Sequence, residues 1–395
     1  MDKLSICFVS QEYPEETGWG GIGTYTHEMA HGLARAGHTV AVLARALSEP
    51  SYEIEADGVH VYRVLPRFSL NGVPALWRLN RLWEGYNVAV ASKLREMIAT
   101  HQIDLIEAPE LHAETLFYTL TRGNPVPTVI RLHGGTGLVL NYEKHQHQKS
   151  KFAKRLERQV VSRAALVTAP STSVLEVSRG WLPVGTNASV IPNPVNTQMF
   201  SPNGGGPDET EPQIVCVGTP RYVKGLHVLA RAIPLVWRVH PEARFVFVAP
   251  LKSDQETDAF RAVLGDLYGH RKIELRSRVA HADMPDIYRH ATMCVVPSLW
   301  PEPFGYSCAE PMACGVPVVA SRVGGLAEMI TDGQTGVLVE PDNATALAQA
   351  INGLLRDEAK RSDLGRQARE KINSDFSTRV ILPRMEAVYQ AVSGK

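Results

Sequence analysis

Short apolar runs alternate with amphipathic stretches along the whole 395-residue chain, and the rhythm restarts halfway. Parallel strands are buried on both faces and return through helical crossovers, so this alternation restricts the chain to sheets flanked by helices. In the first half, 4–9, 39–43, 59–64, 103–107, 127–132 and 165–169 read as strands, with helices over 22–36, 77–100, 113–122 and 144–163. Residues 201–212, S-P-N-G-G-G-P-D-E-T-E-P, cannot build a core and read as a linker or exposed loop. Beyond them come strands at 213–217, 244–249, 273–276, 293–297, 317–320 and 336–339. The accompanying helices fall at 225–239, 254–266, 304–313, 343–356 and 358–373. The expected class is α/β, with two Rossmann-like doubly wound domains, 1–195 and 196–375, facing a central cleft where strand ends receive ligands. An amphipathic segment, 376–395, follows and is interrupted by Pro383.

Composition removes several classes of function. Acidic and basic residues balance at 41 each, which disfavours bulk nucleic-acid binding. Cys7, Cys216 and Cys294 lie in apolar runs, and Cys308 and Cys314 lack metal-ligand spacing, so neither a zinc site nor a disulfide framework is expected. The amino terminus enters a strand without a signal-peptide pattern, and no apolar run reaches transmembrane length. A cytoplasmic protein is the expectation.

The stretch E-P-F-G-Y-S-C-A-E places Glu302 and Glu310 eight positions apart. Pro303 favours an extended loop at Glu302 and a helix starting near Phe304. Eight helical residues rise about 12 Å, too far for a glycosidase carboxylate pair at roughly 5–9.5 Å. Two grips on one long ligand fit better, with the helix start at Phe304-Gly305 receiving an anionic middle. A nucleotide sugar has that shape. The stretch resembles the Glu-x7-Glu signature of retaining glycosyltransferases of family 4, and the similarity runs along nearly the whole chain. The resemblance implies the GT-B fold, in which the terminal helix crosses back to the first domain. From the residues alone a simple cap is an equal reading.

Gly18-Trp19-Gly20-Gly21-Ile22-Gly23 satisfies G-x-G-x-x-G, and Arg45 after the second strand even suggests NADP. However, the fingerprint starts late after the first strand, and no carboxylate follows the second. The stretch instead resembles the opening of family 4 transferases, where Gly20 and Gly21 let backbone N–H groups approach the donor diphosphate.

Gly218-Thr219-Pro220-Arg221-Tyr222-Val223-Lys224-Gly225 places two cations at a strand mouth, suited to a pyrophosphate leaving group. Lys224-Gly225 keeps its usual family place. Arg221 is displaced by two positions, with Thr219 where many members carry arginine. His133 in R-L-H-G-G resembles the family histidine that contacts donor sugar or phosphate, although a structural histidine is the plainer reading. Glu110 has two readings, binding acceptor hydroxyls or capping the helix that follows. Ile191-Pro192-Asn193-Pro194 reads as a turn, and Gly324-Gly325 as shaping the second domain. Residues 144–163 are basic, with Phe152, Leu156 and Val160 at helical spacing. They allow peripheral contact with anionic lipid at the inner face of a membrane, or a solvated helix packed on the first sheet.

These motifs converge on hexosyl transfer from a nucleoside diphosphate sugar, UDP-linked first and GDP-mannose next, to a hydroxyl acceptor. The resemblance implies retention of configuration, and no D-x-D motif calls for a metal or other cofactor. Glu310 is expected on the ribose, Glu302 on the hexose, and Arg221 and Lys224 on the diphosphate. The alternatives are a nucleotide-sugar epimerase of the same fold or an NADP-dependent oxidoreductase.

Overall fold

Both sheets are present, one in each of two units: Met1–Pro194 together with Thr378–Lys395, and Val195–Ser377. The structure is a computed structural model, described for residues 2–66, 81–121, 123, 126–142, 149–207, 210–251, 253–277 and 279–395. The starts of the helices expected at 77–100 and 144–163 lie outside these residues.

The first unit runs β1 (Ser5–Ser10), α1 (Gly21–Arg35), β2 (Thr39–Arg45), β3 (Ser51–Ile54), β4 (His60–Val64), α2 (Arg81–His101) and β5 (Leu105–Pro109). It continues with α3 (Leu116–Thr119), β6 (Thr128–Arg131), α4 (Gly135–Tyr142), α5 (Lys149–Val161), β7 (Leu166–Ala169), α6 (Thr172–Arg179) and β8 (Ala188–Val190). Strand order is β3-β4-β2-β1-β5-β6-β7-β8. Every neighbouring pair is parallel except β3 with β4. Ile6, Cys7, Phe8 and Val9 are all buried, so β1 is a continuous apolar run, as a strand covered on both faces must be.

The second unit runs β9 (Gln213–Val217), α7 (Leu226–Trp237), β10 (Arg244–Val248), α8 (Asp254–Leu264), β11 (Ile273–Arg276), α9 (Met284–Arg289) and β12 (Met293–Val296). Then follow α10 (Tyr306–Ala313), β13 (Val318–Ser321), α11 (Gly324–Met329), β14 (Val337–Val339), α12 (Ala344–Arg356) and α13 (Glu358–Asp375). Its all-parallel sheet has the order β11-β10-β9-β12-β13-β14. Each sheet reverses its winding once, between β1 and β5 and between β9 and β12. Ligands of doubly wound sheets collect at the carboxyl ends beside such a reversal.

The structure departs from expectation where local signals are weak. β3 is only four residues long, S-Y-E-I, and exposed along its whole length. The helix expected over 113–122 is broken, because His112 and Ala113 adopt φ of 66° and 48° before the short α3. Residues 149–161 form α5, whose Leu156 and Val160 pack into the first core, whereas Phe152 faces solvent. The apolar stripe is thus largely spent on the sheet.

The last helix, α14 (Thr378–Ser393), runs through Pro383 without a break and packs within the first unit. His38 Nε2 lies 2.8 Å from Glu386. The Tyr389 hydroxyl donates to Glu107 at 2.6 Å, and Tyr25 donates to the other Glu107 oxygen at 2.7 Å. The Arg131 guanidinium stands 4.7 Å from the centre of the Tyr25 ring and donates to Ile191 O and Asn193 Oδ1, both at 2.7 Å. Burial pushes Glu107 upward, and Arg131 and the two phenols offset that only in part. Asn193, read as a bare turn residue, therefore anchors a buried arginine. Tyr389→Phe should cost about 1–3 kcal/mol, the range for orphaning a buried acceptor. Urea denaturation measures this, and an unchanged midpoint would mean that apolar packing alone holds α14.

Candidate active site

In the second unit, β9 ends at Val217 and a tight turn over Tyr222–Lys224 leads into α7. Beside β9, β12 ends at Val296 and continues through Ser298 to Glu302. The Lys224 ammonium lies 2.7 Å from Glu302 Oε1, and Ser298 Oγ donates to the same oxygen at 2.7 Å. Trp300 stands nearby, its ring centre 5.6 Å from Lys224 Nζ and 5.9 Å from the Arg221 guanidinium carbon. Burial pushes Glu302 upward, but the Lys224 charge and the bonds from Lys224 and Ser298 outweigh it. The carboxyl is held below its usual range, as a buried anion.

The Glu302 backbone is pinned from behind. Gly324 has φ of +49°, and a Cβ there would come within 2.6 Å of both Glu302 N and O. Gly325 N donates to Glu302 O at 2.7 Å. Only glycine at 324 lets α11 start against this loop, the shaping role expected of that pair.

Gly305 caps α10, which begins at Tyr306 rather than near Phe304. Glu310 lies mid-helix and accepts from the Tyr288 hydroxyl at 2.7 Å, with His281 Nε2 3.8 Å away. Burial, then the Glu310 charge, pushes Tyr288 far above its ordinary value, so it stays a donor. Phe304 was expected to meet the donor through the backbone of the helix start. Its side chain is buried in the core, with ring centres 5.0 Å from Tyr306 and 5.9 Å from Phe376, leaving only its backbone for a ligand.

In the first unit, Gly20 caps α1 and Gly21 opens it. The missing Cβ at Gly20 makes room for a carboxylate: it would lie 1.7 Å from Glu12 Oε1, whereas Gly21 borders open space. The space on the Cβ side of Gly20 is therefore filled by Glu12. His133 follows β6, its ring edge-on to Tyr25 at 5.2 Å. Burial, then the Arg131 charge, holds its imidazole neutral, well below its ordinary value.

Glu110 fits neither of its readings. It is fully buried and accepts from His133 N at 2.8 and 2.9 Å and from Gly135 N at 2.6 Å. Glu157, equally buried, accepts from Thr136 N at 3.1 Å and from the Thr136 hydroxyl. Two carboxylates from distant parts of the chain thus cap α4 and set the His133 loop. Burial raises Glu110 to about 7 and Glu157 to about 8. Glu110 is a positioning residue for the loop and does not face an acceptor.

Sequence reasoning missed Ser298, Trp300, Tyr288 and Glu157. Ser298 and Trp300 stand in S-L-W-P-E, four and two residues before Glu302, and their position after an apolar strand was the available signal. Tyr288 and Glu157 lie on helices whose sequences give no hint of their partners.

Two doubly wound parallel sheets, each with one reversal of winding, are the architecture of the GT-B class. Residues 20–194 match the family described as Glycosyl transferase 4-like domain, and 199–371 match Glycosyl transferases group 1. Both matched families are glycosyl transferases, and together the two matches span most of the chain. Glycogen synthase of Mycobacterium tuberculosis is 26% identical over 98% of this chain and 95% of its own length. Sucrose-phosphate synthase of Thermosynechococcus elongatus shares the fold with a TM-score of 0.83 at 24% identity, over 99% of both chains. Anabaena HepE, solved with UDP and glucose, has a TM-score of 0.74 at 21% identity, over 98% of this chain and 99% of that one. These similarities favour neither the epimerase nor the oxidoreductase. No helix among the described residues is long and apolar enough to cross a membrane.

The Lys224–Glu302 pair makes a pH-dependent contribution with a definite sign. Glu302 titrates below its unfolded value near 4.5, so its stabilisation is present above that value and fades as pH falls through the lowered one. In Lys224→Met, burial is no longer offset and the carboxyl moves upward, so the penalty grows as pH rises above about 4.5. The stability gap between wild type and variant, measured by urea denaturation, should therefore widen from acid to neutral pH, toward about 3 kcal/mol. A gap independent of pH would show that the pair is not linked to folding.

Proposed function

We propose that the protein transfers a hexosyl group from a nucleoside diphosphate sugar to a hydroxyl acceptor, with retention of configuration and without a metal. UDP-sugar is the first choice of donor and GDP-mannose the next, and the product belongs to glycan, glycolipid or glycoside biosynthesis in the cytoplasm. The observation that carries this reading is the Lys224–Glu302 pair at the β9/β12 reversal, with Arg221 and the start of α10 alongside.

In this reading Lys224 and Arg221 bind the diphosphate. Negative charge grows on the β-phosphate as the sugar bond breaks, so fixed cations favour the transition state over the ground state. Glu302, kept anionic, holds hexose hydroxyls and favours the oxocarbenium-like carbon electrostatically. Glu310, oriented by Tyr288, takes the ribose hydroxyls. Neutral His133 offers a hydrogen bond to the sugar or phosphate without adding a charge. The leaving phosphate oxygen accepts the proton of the attacking hydroxyl on the same face, so no protein nucleophile is required. The presence of UDP in HepE supports the choice of base.

A thermal-shift screen with UDP, GDP and ADP, each with and without EDTA, tests the reading. One diphosphate should stabilise the protein, with no effect of chelation. Lys224→Ala should abolish that shift and lower turnover by at least about 100-fold, as losing a preorganised charge contact does. Near-normal turnover in the variant would remove Lys224 from the diphosphate site.

A further inference from the structure

Among the described residues no group hydrogen-bonds the half-buried His133 ring, so both its nitrogens are open to a ligand. Glu110 fixes the His133 backbone, but the ring turns about its own side-chain bonds and needs a second constraint to aim it. Tyr25 of α1 supplies one. Its ring, 1% exposed, meets the imidazole edge-on at 5.2 Å, with 66° between the planes. Edge-to-face packing restricts tilt as well as distance.

Tyr25 is itself held from two further sides. Its hydroxyl donates to Glu107 Oε1 at 2.7 Å, and the Arg131 guanidinium carbon stands 4.7 Å from its ring centre. Arg131 closes β6, two residues before His133, and is fastened by Ile191 O and Asn193 Oδ1. The second Glu107 oxygen accepts from Tyr389 of α14 at 2.6 Å. Glu107 lies on β5, the parallel neighbour of β6. A continuous series of contacts therefore leads from α14 through Glu107 and Tyr25 to the His133 ring, all within the first unit.

Attachment of α14 does not require this arrangement. Ile381, Leu382 and Met385 on the same helix are buried, and Glu386 meets His38. A carboxylate and an arginine buried together cost desolvation that apolar side chains of the same volume would avoid. What a fully bonded polar network adds is a single arrangement of its members.

We propose that Tyr25 positions His133 for the transfer step, and that α14 sets Tyr25 through Tyr389 and Glu107. All three are positioning residues that act through the imidazole. The proposal rests on the transferase reading for the role of His133. The aiming of the ring rests on the first unit alone. Without the Tyr389 hydroxyl, Glu107 loses one of the two donors that orient its carboxylate, Tyr25 shifts with it, and the imidazole leaves its edge-on seat. Displacing a reacting group by about 1 Å costs up to about 100-fold in rate.

Nuclear magnetic resonance of the full chain, labelled with 13C-histidine, reports the ring directly, and His133→Ala identifies its signal. Tyr389→Phe and Glu107→Gln should each displace that signal, although no hydrogen bond or ring contact among the described residues joins either to His133. Both should lower kcat by about tenfold or more while the donor KM and the nucleotide-induced thermal shift stay as in the wild type. Glu386→Ala, which removes the other polar contact of α14, should change neither the signal nor kcat. Added to His133→Ala, Tyr389→Phe should lower kcat no further, as expected of groups that act as a unit. An unmoved signal in both variants, an equal loss in Glu386→Ala, additive losses, or undiminished turnover in His133→Ala would each overturn the relay. A displaced signal in a protein whose wild type gives no nucleotide response would support the aiming of the ring and overturn the transferase reading instead.

Discussion

A carboxylate that leaves water must find hydrogen bonds or a cation, or take up a proton. The loops at the carboxyl ends of both sheets are shaped by that demand. Glu107 draws hydroxyls from α1 and α14 onto β5. Glu110 and Glu157 collect the amides that open α4. Glu302 collects Lys224 and Ser298 across the β9/β12 reversal. Each acid joins segments far apart in the chain, so loops that carry little apolar surface of their own are nevertheless fixed.

The two units meet the demand differently. In the first, Glu110, Glu114 and Glu157 are satisfied mainly by backbone amides and neighbouring hydroxyls, and burial raises all three toward neutrality. Such groups hold shape and offer a ligand little charge. In the second, Lys224 keeps Glu302 ionised despite burial. A buried ion pair contributes little net stability once desolvation is counted, so its value lies in keeping both charges ready and in place.

Much of the fold was legible because parallel strands must be apolar runs, and β1, β9, β12 and β13 read as such at once. The helices α4, α6 and α9 were missed because they are short, and because α4 opens on H-G-G-T-G, whose glycines read as loop. Its cap comes from Glu110 and Glu157, a tertiary feature with no local trace. Glu302, Glu310 and Lys224 stood out through their spacing. That Lys224 and Glu302 touch, 78 positions apart, did not. Arg45 was legible only as an isolated cation near a glycine loop.

The same reasoning accounts for a departure from the family pattern, the displacement of arginine from position 219 to 221 while lysine keeps its place. Lys224 is bound to a buried oxygen that Ser298 also holds, on a loop that Gly324 and Gly325 press from behind. Moving it by one residue would break the pair and strand the Glu302 charge. Arg221 lies on the exposed lip of the same turn, and its long side chain carries a delocalised charge. A shift of two residues there can be absorbed by rotamers. Under the proposed reaction, the fixed lysine supplies a cation that needs no reorganisation as phosphate charge develops. The arginine supplies reach, and reach tolerates displacement where position does not.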